Sequence, residues 1–532
     1  MKTEFNFTMI SFSALFLFIF QLHGQVSYFQ GTIAEDTVFE TDTVKVTGDI
    51  FVLNGVTLSI KKGVVMEFQG YYKMDIKGRL IAIGEISDTI EFTVNNTSGF
   101  ADTSVVNGSW AGIRFDQTDE NNDTSFIKFC KFMYGKKIGS DFPENAGGAV
   151  FIDNFSKVVI SNSTFCHNIS IKYGAGIYCG RNSSPIIEDC TFYKNVCYHE
   201  GGGIYLGVNS NAKVYNSQFY ENRALITGFD FGFYWGYGSG GGIYSSSADL
   251  NSACPEIINN RFFNNISVNG AGIYESNHNI KIINNLICNN NGTGIMNGHQ
   301  KGKGLYINNT LCNNSYHGGI ISNSIYLRVI NCIIWGNTNT MAGEDSKAQI
   351  VKGYGGAPKV TYSNVQFGYN GTGNIDTFPM FSFPSEGPGA LFNGKSADWS
   401  LQNDSPCKDI GIQDTTGLSI PESDILWNPR IINGRIDLGA IENQFYSYTS
   451  NVEQHYNIKV YPNPASIYIN VEINTDMPLS ISLFNANGVC VLEQKAIESG
   501  ERLNLHNIPQ GVYFYTIYLE NKQISKGVLI IE

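Results

Sequence analysis

The side chains best suited to chemistry lie in and beside one long insertion, residues 223–239 (RALITGFDFGFYWGYGS). Six of its residues are aromatic, whereas only Arg223 and Asp230 are charged. Exposed aromatic side chains in such number usually form a contact surface. Shorter loops at equivalent places in neighbouring repeats contribute further groups. The candidate ligand-binding residues of this region are Tyr198, His199, Glu200, Arg223, Asp230, Tyr234 and Trp235.

Aromatic rings beside His, Glu, Lys and Arg can bind a sugar chain, and the same groups can abstract a proton next to the carboxylate of a uronic acid. The alternative is that the insertion folds back and packs on the flank of the protein. No catalytic residue is identified, because glycoside hydrolysis needs two converging carboxylates and the acids here are scattered. Calcium would require a carboxylate cluster that neighbouring repeats do not supply, so no cofactor or metal is expected.

The elements that position these loops are copies of one repeat, which run from Gly147 to Asn337. Copies begin at 147, 174, 201, 240, 270, 292 and 317, and each opens with a segment similar to GAGIY (270–274). Steps of 22 to 39 residues without loss of the pattern indicate stacked supersecondary units with loops of variable length. The apolar runs are short, β-branched or aromatic, and interrupted by Gly and Asn, which predicts very short strands joined by tight corners.

Two asparagine columns follow the second half of each repeat, I-x-N-x-x-F-x-x-N. Asparagine tolerates left-handed backbone, and stacked amides can bond to each other from rung to rung, so we predict structural ladders. The first column contains Asn162, Asn216, Asn259, Asn284, Asn308 and Asn331, with Asp189 between the first two. The second contains Asn168, Asn195, Asn222, Asn265, Asn290, Asn314 and Asn337.

A column of aromatic residues accompanies the first strand of each repeat. Residues of a strand alternate between its two sides, and the aliphatic column that contains Ile177 and Ile204 is placed inside. Phe151, Tyr178, Tyr205, Tyr244 and Tyr274 then point outward. We expect Tyr178, Tyr205 and Tyr244 to be exposed, glycan-contacting rings; the alternative is that the rings stack in a buried core.

These repeats resemble a right-handed parallel β-helix of the pectate-lyase-like kind, and the pairing of GGA-[IV] with F-x-x-N is similar to the repeats of polymorphic outer-membrane adhesins. The resemblance implies an all-β solenoid with N- and C-terminal covers. It implies no particular activity, because such helices include lyases, hydrolases, adhesins and passive stalks.

The remaining segments give the domain organisation. Residues 1–24 have the basic start, apolar core and small-residue end of a signal peptide. Residues 25–125 are a β-rich cover with the first turns, 126–370 the β-helix, 371–443 a C-terminal cover and 444–457 a linker. No transmembrane segment is expected in the mature chain. A net charge of −12 without a basic cluster argues against nucleic acid.

Residues 458–532 contain alternating runs separated by turns, which is typical of a small β-sandwich. This segment resembles the sorting domain of type IX secretion, through Tyr461, Pro462, Asn463 and Pro464, through Gly511 and Tyr513 in GVYF, and through the terminal KGVLIIE. The resemblance implies the secretion machinery and its sorting peptidase as partners, and a surface-attached or extracellular protein.

The sequence has eleven cysteines but no C-x-x-C, which argues against a zinc or thioredoxin-like site. Cys288 and Cys312 occupy one position on consecutive rungs, so we expect them to be neighbours within reach of a disulfide. The sequence as a whole predicts a secreted or cell-surface β-helix that binds carbohydrate or another surface. The alternative is a polysaccharide lyase or glycoside hydrolase.

Overall fold

The computed structural model describes residues 25–225, 229–230, 233–234, 238–246, 253–277, 279–339, 348–445, 458–473, 478–486, 488–519 and 522–532. The predicted signal peptide and most of the predicted linker lie outside these residues. The chain forms two compact units, Met1–Tyr446 and Ser447–Glu532. Strands are the only regular secondary structure in the described ranges.

Three ladders of parallel strands build the first unit, and every turn of the chain adds one strand to each ladder. Ladder 1 contains Met74–Ile76, Ile113–Asp116, Val150–Asp153, Ile177–Cys179, Ile204–Leu206, Ile243–Ser246, Ile273–Ser276, Ile295–Asn297, Ile320–Ser322 and Ile350–Lys352. Ladder 2 contains Thr37–Phe39, Thr57–Ile60, Arg79–Ile83, Ser125–Lys128, Val158–Ser161, Ile186–Glu188, Lys213–Tyr215, Glu256–Ile258, Lys281–Ile283, Leu305–Ile307, Arg328–Ile330 and Lys359–Thr361.

Ladder 3 contains Val65–Phe68, Ile90–Val94, Cys130–Met133, Thr164–Cys166, Thr191–Tyr193, Gln218–Tyr220, Arg261–Phe263, Leu286–Cys288, Thr310–Cys312, Ile333–Trp335 and Asn364–Val365. Two longer strands, Val26–Ile33 and Thr43–Val52, each take part in two ladders. Short parallel strands lie at Lys136–Lys137, Ile169–Ser170, Val196–Cys197 and Arg223–Ala224, and antiparallel pairs form at Phe229–Asp230 with Phe233–Tyr234 and at Phe381–Phe383 with Asp398–Leu401.

The predicted register is confirmed. In ladder 1, Ile177 pairs with Ile204, and in ladder 3 Phe192 pairs with Phe219. These side chains point into one continuous core, where the phenylalanine rings of ladder 3 stack 4.8 Å apart. Gly203 lies against this stack, because a Cβ there would come within 2.6 Å of the Gly242 carbonyl and 2.9 Å of the Phe219 ring.

The two asparagine columns have different structural roles, although the sequence analysis predicts ladders for both. Every residue of the first column has positive φ, from 48° at Asn162 to 61° at Asn284, so this column makes the left-handed corner after ladder 2. Asp189 shares the conformation with φ 53°. Asn tolerates this backbone with little strain because its short polar side chain can bond locally.

The second column forms a buried amide ladder along the helix axis. Each Nδ2 donates to the Oδ1 of the next rung at 2.9 to 3.0 Å, from Asn168 as far as Asn337, where Gln349 continues the ladder. Asn168 is fully buried, and Asn195 also donates to the Phe165 carbonyl at 2.9 Å. A further buried ladder that the sequence analysis missed joins Asn260, Asn285 and Asn309.

The segment predicted as an N-terminal cover with first turns consists of rungs of the same stack. Arg79–Ile83 pairs with Ser125–Lys128, and Ile90–Val94 pairs with Cys130–Met133, so the ladders continue across residue 125. The helix therefore begins near Val26, about a hundred residues before the predicted boundary.

The predicted C-terminal cover packs along the side of the helix. Trp399, Leu401 and Leu438 form a second core with outward-facing residues of ladder 3, among them Cys288 and Cys312. Asn308 Nδ2 also donates to the Asp437 carbonyl at 2.9 Å. Cys288 and Cys312 are register partners, which confirms that they are neighbours, and both are free thiols.

The second unit is a small β-sandwich. One sheet contains Lys459–Tyr461, Tyr468–Glu472 and Arg502–Asn504; the other contains Cys490–Ile497, Leu479–Phe484, Gly511–Leu519 and Lys522–Ile531, in that spatial order. Its strands pair antiparallel within both sheets, a parallel bridge joins Ala465 to Ile531, and its buried residues form a core cluster of their own.

Candidate functional site

The aromatic stripe of ladder 1 lies on the outer side of its strands, opposite the buried isoleucine column. Its members are Phe151, Tyr178, Tyr205, Tyr244 and Tyr274, whose ring centroids are 4.8 to 5.2 Å apart with interplanar angles of 16° or less. Because the rungs repeat at about 4.8 Å, each ring stacks on the next. The flat faces that sugar stacking would require are therefore occupied by neighbouring rings.

The expected exposure of this stripe is wrong for two of its three key members. Tyr178 is 6% and Tyr244 9% exposed, and Tyr205 is half-buried. Phe142 packs 5.7 Å from the ring of Tyr178, while Tyr173 lies 4.9 Å from that of Tyr205. Burial raises the pKa of Tyr205 and Tyr244, and the nearby Glu200 carboxylate acts in the same direction. These hydroxyls are thus protonated at neutral pH.

His199 and Glu200 lie at the corner beside the stripe. His199 Nδ1 and Glu200 Oε1 are 3.3 Å apart, with side chains 35% and 19% exposed. Tyr173 approaches the His199 ring at 6.5 Å, and Tyr198 is half-buried. The structure therefore places His199 and Glu200 beside the stripe, whereas the sequence analysis groups them with the insertion 223–239.

Arg223 lines an open groove on the flank of the helix. The groove has a volume of about 620 Å³. One wall carries Lys194, Tyr220, Glu221 and Arg223, and the other is the cover segment 390–395. Of the predicted charged residues, His199 and Glu200 thus lie at the stripe and Arg223 lies in the groove. For Asp230 and Tyr234 the structure describes a strand pair but no side chains, and Trp235 lies outside the described residues.

Asn264 fixes the cover segment as the second wall. Its Nδ2 donates to the carbonyls of Ala390 and Phe392 at 3.2 and 2.6 Å, and its Oδ1 accepts from the Gly394 amide at 3.2 Å. This left-handed corner residue, with φ 55°, therefore ties the cover segment to the helix beside the groove. Leu391 stands at the rim, 98% exposed.

The charged groups of the groove are mostly cationic. Lys194 and Glu221 form an ion pair at 3.7 Å. Lys395 Nζ lies 3.9 Å from the Tyr220 ring centroid, and neither Lys395 nor Arg223 pairs with a carboxylate among the described residues. The Tyr220 ring stacks on Tyr193 at 5.1 Å. Three cations and one carboxylate therefore surround an aromatic edge on a chain whose overall charge is −12.

The sequence analysis missed Lys194, Tyr220, Glu221 and Lys395. The repeated pattern of Phe, Tyr, a charged residue and Asn at 192–195 and 219–222 could have indicated the first three, because it places Tyr and a charge on the outer face of neighbouring rungs. Nothing in the sequence places Lys395 beside them, since the contact joins segments 175 residues apart.

No group of three or more His, Cys, Asp or Glu in the described ranges is arranged to hold a metal ion. No helix long and apolar enough to cross a membrane occurs in that part of the chain.

The predicted sorting residues lie at one end of the sandwich. Asn463 Nδ2 donates to the Val528 carbonyl at 2.7 Å, and its Oδ1 accepts from the Ile530 amide at 2.9 Å. Pro462 and Pro464 flank it in sequence. Tyr461 donates its hydroxyl to Glu472, and Tyr513, near the start of Gly511–Leu519, donates to the Pro509 carbonyl at 2.7 Å.

Comparison with family models agrees with this architecture. Residues 85–301 match the model of the right-handed β-helix region, and residues 459–532 match that of the secretion system C-terminal sorting domain. A search of curated proteins found no match. The chain is a right-handed parallel β-helix protein with a type IX secretion sorting domain. It is secreted by the type IX route to the cell surface or the extracellular space.

Proposed function

We propose that this protein is an adhesin-like binding module, whose groove on the helix flank takes an extended carbohydrate chain with acidic groups. The observation that carries the proposal is the set of cations around Tyr220: the described lining of the open groove contains Lys194, Arg223 and Lys395 but one carboxylate, Glu221. On a chain of charge −12, such a local reversal of sign favours an anionic ligand.

Carbohydrate suits this groove better than an apolar ligand. Its walls combine charged and amide groups with the edge of a tyrosine ring, and the exposed Asn393 and the half-buried Asn264 lie beside the cations. Amides and ammonium groups bond to sugar hydroxyls and carboxylates, and an aromatic edge contributes apolar contact without closing the site. An open groove also admits the middle of a long chain, as a surface-binding protein requires.

A binding function needs nothing more than this face, whereas a polysaccharide lyase or hydrolase needs ionisable groups converging on one bond. Among the described residues, His199 and Glu200 lie at the stripe and the cations lie in the groove. Binding is therefore preferred, and catalysis is tested in the same experiment.

The experiment measures retention of the full chain on immobilised polygalacturonate and on neutral dextran. Arg223→Ser combined with Lys395→Ser should weaken polygalacturonate binding roughly tenfold, because each exposed charge contact contributes up to about 1 kcal/mol. Raising the salt concentration should weaken wild-type binding as well. Lys213→Ala, which removes an exposed cation from ladder 2, is the matched control and should bind normally.

Unchanged retention by a folded double variant would contradict the proposal. Release of reducing ends or of unsaturated uronate products from polygalacturonate would instead identify an enzyme.

A further inference from the structure

An exposed apolar patch covers one end of the sorting domain. It consists of Phe484, Val512, Phe514, Val528 and Ile530, on the outer face of the four-stranded sheet. Phe484 pairs with Phe514, Phe514 pairs with Val528, and Val512 pairs with Ile530, so the five side chains are contiguous neighbours. Val512, Phe514, Val528 and Ile530 are 53%, 49%, 46% and 40% exposed. These positions alternate with the buried core residues Tyr513 and Leu529, which confirms that they face outward.

The same sheet face becomes polar one row further along the strands. There Ser482 pairs with Thr516, and Thr516 pairs with Lys526. A solvated face of a small sandwich should be polar throughout, as this second row is. The apolar patch is therefore a local exception on this face. Clusters of exposed apolar side chains with a polar border usually mark a protein contact.

The segments that resemble a sorting signal meet at this apolar end. Asn463 of the Tyr461–Pro464 segment bonds to the main chain of Val528 and Ile530, beneath the patch. The GVYF segment supplies Val512 and Phe514, and the terminal KGVLIIE supplies Val528 and Ile530. The turn after Phe484 is closed by a hydrogen bond of 3.0 Å from the Val489 amide to Asn485. Of these segments, the polar row contains only Lys526, the first residue of KGVLIIE.

We propose that this patch is the surface by which the sorting domain docks onto an apolar surface of the type IX secretion machinery. The domain matches a secretion sorting family, so the machinery is the partner that must recognise it. The buried residues of the sorting domain stabilise its fold, and its outward polar row is similar to ordinary solvated protein surface. The apolar patch is the part of the outer face that offers a desolvation gain to a partner.

The test uses the full chain produced in a bacterium with a type IX system, with the protein quantified in the periplasm, on the surface and in the medium. The variant Val512→Thr, Val528→Thr, Ile530→Thr removes apolar surface but keeps β-branched residues that suit strands. We expect at least a tenfold loss of delivered protein and a matching periplasmic accumulation. Ser482→Thr with Glu493→Thr, a register pair on the polar row of the same face, should be delivered like wild type.

Thermal unfolding and protease resistance of the purified full-length variants establish that the sorting domain is folded. If the triple variant unfolds, the single variant Val528→Thr replaces it, and the amount of delivered protein is measured in the same way. Normal delivery of a folded variant would overturn the proposal. The patch could instead bind a second copy of the chain, which size-exclusion chromatography tests. A wild-type dimer that becomes monomeric in the variant, with export unchanged, would assign the patch to self-association and overturn the proposal. Polygalacturonate retention is unaffected in every case, since the groove lies in the other unit.

Discussion

Asn222 donates a hydrogen bond of 3.0 Å from Nδ2 to Oδ1 of Asn265, although 43 residues separate the two in the sequence. The long insertion 223–239 lies between them, and yet the bond matches that between Asn195 and Asn222, which are 27 residues apart. The insertion therefore changes a loop and leaves the stack of rungs intact. Stability of the helix should depend on this ladder more than on any loop.

Asn222→Leu tests the ladder at its longest step. The change removes the donor to the Phe192 carbonyl and the acceptor for Asn195, and so leaves buried polar groups unpaired. We expect a loss of roughly 1–3 kcal/mol in the free energy of unfolding, measured by urea titration with far-UV circular dichroism. Lys213→Ala, at an exposed position, should change it by less than about 0.5 kcal/mol. Equal losses in the two variants would argue against the ladder.

The repeat made the core predictable, because a fixed motif on rungs of fixed spacing determines which residues pair. Ile177, Phe192 and Asn195 all have the neighbours that the alignment of repeats assigns to them. The groove was not predictable in this way. Lys395 reaches Tyr220 from a cover segment without repeats, so its position depends on packing that no periodic pattern encodes.

The aromatic stripe shows a different limit of sequence reasoning. Alternation along the strand correctly predicts that Tyr178 faces away from the isoleucine column. It does not predict that rings on successive rungs stack face to face, or that Phe142 and Tyr173 cover them. The direction of a side chain is determined by its own strand, whereas its exposure also depends on neighbouring loops.

Tyr178→Ala should therefore act on stability. The ring is almost fully buried between Phe151 and Tyr205, and its removal should cost about 3 kcal/mol or more in the free energy of unfolding. Retention of the remaining folded protein on polygalacturonate should be unchanged. Tyr354→Ala, which removes an exposed ring, is the control and should alter neither property. A stable Tyr178→Ala protein that is no longer retained on polygalacturonate would show that the stripe takes part in binding.

The cover segment should make stability depend on pH through a buried charge cluster. Arg430, Asp437 and Glu442 are each at most 2% exposed, and Arg430 Nη1 lies 3.7 Å from Glu442. Burial raises the pKa values of Asp437 and Glu442 above the ordinary carboxyl range, and the Arg430 guanidinium only partly opposes it.

A folded-state pKa above the unfolded value means that the folded protein binds protons more tightly. The contribution to stability is complete below the ordinary carboxyl pKa and is lost as the pH rises through the raised values. We expect the midpoint temperature of thermal unfolding to decrease as the pH rises to about 8, the raised pKa of Glu442. Glu442→Gln, which cannot ionise, should flatten this dependence. A wild-type midpoint that rises with pH over this range would show that the guanidinium outweighs burial.

Thiol labelling should separate the buried cysteines from the exposed one. Cys288 and Cys312 lie beneath the cover, and burial together with the adjacent Cys288 thiol raises the pKa of Cys312 well above its ordinary value. Iodoacetamide reacts with the thiolate, so neither should be modified in the native protein. Cys490, which is exposed, should react readily. Peptide mass spectrometry measures both, and modification of Cys312 as fast as that of Cys490 would mean that the cover does not seal this flank.

The sorting domain should be necessary for delivery but not for folding of the helix. Among the described residues, the buried residues of the helix and those of the sandwich form two distinct core clusters. Deletion of residues 459–532 should therefore leave a folded helix with wild-type retention on polygalacturonate, trapped in the periplasm. Fusion of residues 446–532 to an unrelated periplasmic protein should conversely send that protein to the surface or the medium. Surface delivery of the truncated chain at the wild-type level would mean that the export signal lies within the β-helix itself.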